Sequence, residues 1–404
     1  MIITHIKLKN WKNFADVDVA CGQRMFLIGT NGSGKSNFID ALRFLRDVAQ
    51  DGLDKAILVR GGISAVKYLN AGTQSDITVA VTLDDVWRYS LTFGANKGKF
   101  SPLVRREIVE KRSDSTSSDW KIILERPTEA DNNDPFRLTQ TALQQVNTNR
   151  DFREIAEFFS SIQYSHVLPQ LVRQPEDFTP NPVKNDPYGR DLVQAVWDIP
   201  QRTRDSRLRK INEALKIAVP QFENLAVQQD KYGIPHFEIN FAHWRAGSFQ
   251  KESSFSDGTL HLLGLLWSAL DTDGPLLLEE PESSLHEEIV AQLPSIFSGM
   301  DRDKKKGRQV FITTHAEAML RDPGIGATEV IQFQPTMVGT QVLLPDPLET
   351  AAINQGALTA ADVMLPKTKP DNAQQLRSFL KFFLFSPHAQ RLPGQKREAS
   401  RVFL

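Results

Sequence analysis

The stretch Gly29-Thr-Asn-Gly-Ser-Gly-Lys-Ser36 has the spacing G-x-x-x-x-G-K-[S/T], with Gly29, Gly34, Lys35 and Ser36 on the fixed positions. Those residue types bind a polyphosphate. Glycines let the backbone come close to the phosphates, and amide groups point at them. The lysine reaches the β- and γ-phosphates, and the serine hydroxyl ligates Mg2+. Asn31, Gly32, Ser33 and Asn37 complete the candidate nucleotide ligands of this stretch. A second group of chemically active residues lies far along the chain, in Leu276-Leu-Leu-Glu-Glu-Pro-Glu282. An apolar run ending in carboxylates is a Walker B element, a strand that delivers acid groups to the ligand-binding edge of an α/β sheet. Glu279 is placed to hold Mg2+ through water, and Glu280 to orient or deprotonate an attacking water.

Such chemistry needs elements that hold the loop and the carboxylates face to face. Arg24-Met-Phe-Leu-Ile28 reads as a short buried strand ahead of the loop. Behind it, Phe38, Ala41, Leu42, Leu45, Val48 and Ala49 recur at helical spacing. Strand, glycine-rich loop and helix together aim a helix N-terminus at the phosphates. Ile2, Thr4, Ile6 and Leu8 alternate with polar residues as on a half-buried strand, Val17 and Val19 suit its partner, and Lys12-Asn13-Phe14 forms the bend. Between residues 66 and 126 the alternation marks strands at 77–83, 87–93 and 120–124, separated by turn signals, as an antiparallel meander. Residues 155–162 read as helical or transitional and 162–167 as strand. Pro169, Pro175, Pro180, Pro182 and Pro187 then make a stretch too proline-dense for helix or inner strand. Residues 192–222 read as helical and 227–241 as a hairpin. No sustained heptads occur, so long coiled-coil arms are not expected.

Composition narrows the class. The chain has 404 residues, 40% hydrophobic and 24% charged, which is ordinary for a globular protein with a substantial core. A formal net charge of −1 gives no global case for nucleic acid or membrane. The single cysteine, Cys21, permits no intrachain disulfide and suits a reducing compartment. The N-terminus lacks the apolar core of a signal peptide, and no run approaches the ~20 residues of a membrane span. These features predict a cytoplasmic protein without a membrane partner.

Several segments match a known pattern in order. The entry strand and its lysine-plus-phenylalanine turn resemble those of SMC and RecF-like ATPases, in which the basic residue touches the nucleotide. Lys12 is therefore a candidate phosphate contact, with a solvated turn lysine as the other reading. Arg60, in Leu58-Val-Arg-Gly-Gly62, resembles the arginine before two glycines that reaches the nucleotide in SMC-like proteins; a simple turn is the alternative. Ser254-Phe-Ser-Asp-Gly-Thr-Leu260 resembles the ABC signature through Ser256 and Gly258, and departs from it at Asp257 and Thr259; a helix N-cap explains Ser256 and Asp257 as well. His315 ends the strand-like Gln309-Val-Phe-Ile-Thr-Thr-His315 and is similar to the switch histidine that contacts the γ-phosphate. The family carries a glutamine that senses Mg2+, for which Gln170 and Gln163 are candidates. The chain thus resembles an ABC-type ATPase of the SMC/RecF/OLD-like branch, and more closely the compact bacterial predicted ATPases with Glu-Glu-Pro-Glu-x-x-Leu-His and no coiled coil.

The resemblance covers residues 1–345. It implies an α/β P-loop NTPase fold: an ABC-type ATPase head with a mixed sheet, an antiparallel β meander and a helical lobe. Residues 1–165 would form ATPase lobe I, 166–250 a helical lobe or insertion, 251–345 lobe II, and 346–404 a C-terminal helical and basic tail. The implied cofactors are ATP and Mg2+. The implied assembly is a head-to-tail homodimer, or a higher even oligomer, in which Ser256 and Gly258 of one copy meet the γ-phosphate held by Lys35 of the other. Four functions compete: a switch for a separate effector, nuclease-like, as in anti-phage modules; a RecF-like ATPase acting on DNA in repair or recombination; a transport ATPase, which the entry and Glu-Glu-Pro-Glu patterns disfavour; and a non-enzymatic scaffold that binds ATP without hydrolysing it, against which Lys35, Glu280 and His315 argue. In the tail, a short helix is expected from Thr359, an amphipathic one at 372–383, and a basic end at 388–401 that either frays or docks a partner. No nuclease signature occurs in the sequence read, so a nuclease would be a separate chain.

Overall fold

The computed structural model describes residues 1–72, 75–96, 101–173, 186–243, 245, 247–271, 273–300 and 307–369. Strands β1 (Ile3–Trp11) and β2 (Phe14–Ala20) form a hairpin whose tight turn places Trp11 opposite Phe14. Their alternating apolar residues are buried, including Ile6, Leu8, Val17 and Val19, as the period-two pattern requires. Strand β3 (Arg24–Gly29) is buried nearly throughout. It leads through the glycine loop into the helix Lys35–Asp51.

The meander is present and has one more strand than alternation predicts. Strands β4 (Ile77–Leu83), β5 (Trp87–Ala95), β6 (Pro102–Lys111) and β7 (Lys121–Arg126) pair antiparallel with β1 and β2 in the order β2-β1-β4-β5-β6-β7. Strand β6 escapes a period-two reading because its register against β5 shifts between Thr92 and Phe93. Arg105 and Arg106 are consecutive exposed residues there, which breaks the alternation.

The central sheet has the order β15-β14-β3-β13-β12-β8, built from β8 (Gln163–Ser165), β12 (Leu276–Glu279), β13 (Val310–Thr313), β14 (Val330–Thr336) and β15 (Gly339–Leu343). All neighbours are parallel except β14 and β15, so the sheet is mixed. Parallel strands covered on both faces read as continuous apolar runs, as in Leu276–Leu278 and Met25–Ile28. Register sets the site: Glu279 lies beside Thr313, and Thr313 beside Leu27, so β12 and β13 end level with one another and β3 runs two residues further, to Gly29 at the start of the loop.

A separate core cluster joins Leu192, Val196, Leu208, Ile211 and Leu215 to Phe237, Leu260 and Trp267. The helical segment expected at 192–222 is two helices, Leu192–Asp198 and Gln201–Ala218, because Pro200 cannot continue the first. The hairpin expected at 227–241 begins earlier, as β9 (Phe222–Gln229), and pairs with β10 (Pro235–Phe241) and then β11 (Gln250–Lys251). Residues 166–250 therefore contain a small sheet as well as helices. The proline-dense stretch also differs from expectation at its start: Pro169–Arg173 is a short helix, opened by the proline, whose fixed φ suits a first helical turn. Pro175, Pro180 and Pro182, and the tail segments 372–383 and 388–401, lie outside the described residues. The helix expected from Thr359 is present as Ala360–Met364, with Thr359 and Asp362 forming a reciprocal cap.

Candidate nucleotide-binding and hydrolysis site

The loop after β3 adopts the backbone that its glycines permit, with φ of 75° at Gly32 and 105° at Gly34. At Gly34 a Cβ would collide with Asn13 Nδ2, so the β1–β2 turn presses directly on the loop. Asn13 donates from Nδ2 to Ser33 O at 3.1 Å and to Thr340 Oγ1 at 2.6 Å, and accepts from Asn37 Nδ2 at 2.8 Å. Thr340 in turn donates to Ser33 O at 2.8 Å. The phosphate loop is thus clamped from outside by residues of β15 and of the β1–β2 turn.

Inside the loop, Lys35 is buried, and its ammonium donates to Gly29 O at 3.0 Å and Thr30 O at 3.2 Å. Burial lowers its pKa, while Glu280, Glu279 and Glu282 act in the opposite direction and favour the charged form. Ser36 donates to Glu279 Oε1, which joins the loop to the end of β12. Glu279 Oε2 accepts from the Tyr164 hydroxyl at 2.6 Å, and Glu279 O lies 3.0 Å from His166 Nδ1. Glu280 follows with φ of 45°, its amide donating to Thr313 O and Thr313 Oγ1, each at 3.1 Å. Its carboxylate Oε1 lies 3.9 Å from His315 Nε2. Burial and then Lys35 lower the pKa of His315 and favour the neutral imidazole, while Glu280 acts in the opposite direction. Glu282 fixes the histidine's backbone by accepting from His315 N at 2.9 Å and from Thr314 Oγ1 at 2.8 Å. Burial raises the pKa of Glu282.

Structure therefore brings Lys35, Ser36, Glu279, Glu280 and His315 together. Oxygen donors at Ser36 and Glu279, apposed beside a buried lysine, fit Mg2+. The described residues hold no group of three or more His, Cys, Asp or Glu side chains poised for a metal. A Mg2+ here would take its remaining ligands from phosphate oxygens and water. When bound it would neutralise charge developing on the phosphates.

Other candidates sit elsewhere. Ser256 is exposed and accepts from Thr259 N at 3.2 Å, so it serves as a cap on the helix Asp257–Asp271. Gly258 packs so closely that a Cβ would lie 2.8 Å from Ser284 O, in the turn beyond the carboxylates. Gln170 donates to Asp257 Oδ2 at 3.4 Å, which ties it to the signature-like segment instead of to Ser36 or Glu279. Gln163 starts β8 and accepts from Arg308 Nη2 at 2.7 Å, at the opposite strand end from Glu279. Lys12 and Arg60 both turn to Asp40 on the phosphate-loop helix: Lys12 Nζ lies 2.6 Å from Asp40 Oδ2, and Arg60 Nη2 lies 3.0 Å from Asp40 Oδ1 and 2.8 Å from Asp47 Oδ2. Asn31 and Gly32 are exposed at the loop tip. Sequence reading missed Asn13, Tyr164 and His166 as parts of this site. The only local signal was for Asn13, beside Lys12 in the entry turn.

The fold and the site define a P-loop ATPase of the ABC type, in the SMC/RecF-like branch. The chain belongs to the family described as "AAA domain, putative AbiEii toxin, Type IV TA system", whose pattern matches residues 24–319. It is 34% identical over 84 residues to the endonuclease GajA of Bacillus cereus, a match covering 21% of this chain and 13% of that protein. It is 37% identical over 70 residues to the DNA replication and repair protein RecF of Clavibacter michiganensis, covering 16% of this chain and 17% of RecF. The chain thus spans less than a fifth of either relative's length. In fold it is similar to the crystal structure of an SmcHead bound to the C-winged helix domain of ScpA, with a TM-score of 0.53 and 15% identity, over 85% of this chain and 98% of that one. No helix among the described residues is long and apolar enough to cross a membrane.

Proposed function

We propose that this chain binds Mg-ATP, hydrolyses it slowly, and uses the cycle to open and close a head-to-tail dimer that switches a separate, nuclease-like effector in cytoplasmic anti-phage defence. The observation that carries the reading is the meeting of Lys35, Ser36, Glu279, Glu280 and His315 at the carboxyl ends of β3, β12 and β13. Lys35 would hold the β- and γ-phosphates, and Glu280 would take a proton from the attacking water while neutral His315 donates to a phosphoryl oxygen. Ser256 is exposed and lies on a different element from the phosphate loop. That arrangement supports its use by a second copy, and two-fold pairing makes both sites equivalent. The nuclease setting draws support from the 84-residue match to an endonuclease.

The test is ATP turnover and solution mass for wild type and Glu280→Gln. Removing a general base costs about 10²–10⁴ in rate, so turnover should collapse while ATP still binds. The variant should accumulate as an ATP-dependent dimer. A Glu280→Gln protein that stays monomeric with ATP would sink the dimer mechanism. The match to RecF favours a second reading, an ATPase acting on DNA in repair or recombination. Turnover stimulated by DNA, with DNA affinity falling steeply with salt, would select it.

A further inference from the structure

We infer that Tyr164 is the positioning residue for the Mg2+-binding carboxylate, taking the task for which the family pattern suggested a glutamine. The inference rests on the nucleotide site proposed above. Glu279 is held at both oxygens: Ser36 donates to Oε1, and Tyr164 donates to Oε2 at 2.6 Å. Residue Tyr164 is itself fixed. Its ring lies under the Arg43 guanidinium at 3.9 Å, and Arg43 belongs to the same helix as Ser36. A closed ring of contacts therefore runs from the phosphate-loop helix through Arg43, Tyr164 and Glu279 back to Ser36. His166, two residues on, holds the Glu279 backbone when its Nδ1 carries the proton, with Nδ1 3.0 Å from Glu279 O.

The chemistry follows from the donor. A hydroxyl donating to one carboxylate oxygen fixes the rotation of the carboxyl group and leaves the other oxygen directed at Ser36. Glu279 would then offer a bound Mg2+ a preset acceptor, and partners of this kind tune metal affinity strongly. Gln170 cannot do this from where it stands, since its amide is engaged with Asp257.

The test uses Mn2+ as the probe, titrated into the full chain with a non-hydrolysable ATP analogue and followed by the electron paramagnetic resonance of free Mn2+. Tyr164→Phe removes the hydroxyl and keeps the ring under Arg43. The expected result is a Mn2+ half-saturation raised roughly tenfold or more. Metal-free analogue binding and melting temperature should stay close to wild type, a split that a merely structural role would not produce. Gln170→Ala should leave the Mn2+ curve where it is. An unchanged curve in Tyr164→Phe, or a shifted one in Gln170→Ala alone, overturns the inference and leaves the nucleotide site standing. If the wild type binds no analogue with or without Mn2+, the inference and the proposed function fall together.

Discussion

Lys12 and Arg60, 48 residues apart in the chain, meet on one carboxylate, Asp40, at 2.6 Å and 3.0 Å. Each cation resembles a family residue that reaches the nucleotide, yet here both are held against the flank of the phosphate-loop helix. Asp40 is 8% exposed. Burial alone would raise its pKa, but Arg60 and Lys12 outweigh burial and hold it below the ordinary carboxylate value of 3.8. Replacing it as Asp40→Asn strips Lys12 of its partner and leaves Arg60 with Asp47. A loss of roughly 3 kcal/mol is expected, as for other pairs broken away from water. The sign in pH follows from the lowered pKa. The contribution is full above the unfolded value and disappears as pH falls through the lower folded value, so below about pH 4 the wild type loses its advantage over Asp40→Asn. Urea midpoints measured for both proteins across that range test this; parallel curves would contradict it.

Asn13 braces the phosphate loop by bonding to Ser33, Asn37 and Thr340 together. In Asn13→Ala the loop should lose about 1 kcal/mol of preorganisation, close to one net hydrogen bond. Nucleotide affinity should then weaken about fivefold. Calorimetric titration with ATP analogue reads it directly. A lowered melting temperature with unchanged affinity would show that Asn13 supports the fold and not the loop.

Gly258 packs against the turn that follows Glu279 and Glu280. In Gly258→Ala the new Cβ would sit 2.8 Å from Ser284 O, a backbone atom that can yield only by moving the turn. Overpacking of this kind costs about 1–3 kcal/mol. The variant should bind ATP as wild type does, since Lys35 and its loop are untouched, and should form the ATP-dependent dimer less well. Wild-type dimerisation in this variant would remove the reason for placing Gly258 at the interface.

How much of this was legible in the sequence depends on distance along the chain. The strand, loop and helix around Lys35, the apolar run ending at Glu279 and Glu280, and the strand ending at His315 are each contiguous. Their residue types carry local requirements: positive φ in the loop, burial on both faces in the strands. Those stretches alone determined the fold class and the core of the site. The sequence also set the hairpin turn at Lys12-Asn13, though not what its side chains would touch. Only tertiary structure decided that Asn13 clamps Ser33 with Thr340, 327 positions away, or that Tyr164 holds Glu279 across 115. It likewise turned Gln170 toward Asp257, and it let the irregular β6 join a sheet despite its broken alternation. Such contacts follow from which strands lie side by side and in what register, and register is a property of the packed sheet, since a slip of one residue turns each side chain to the other face.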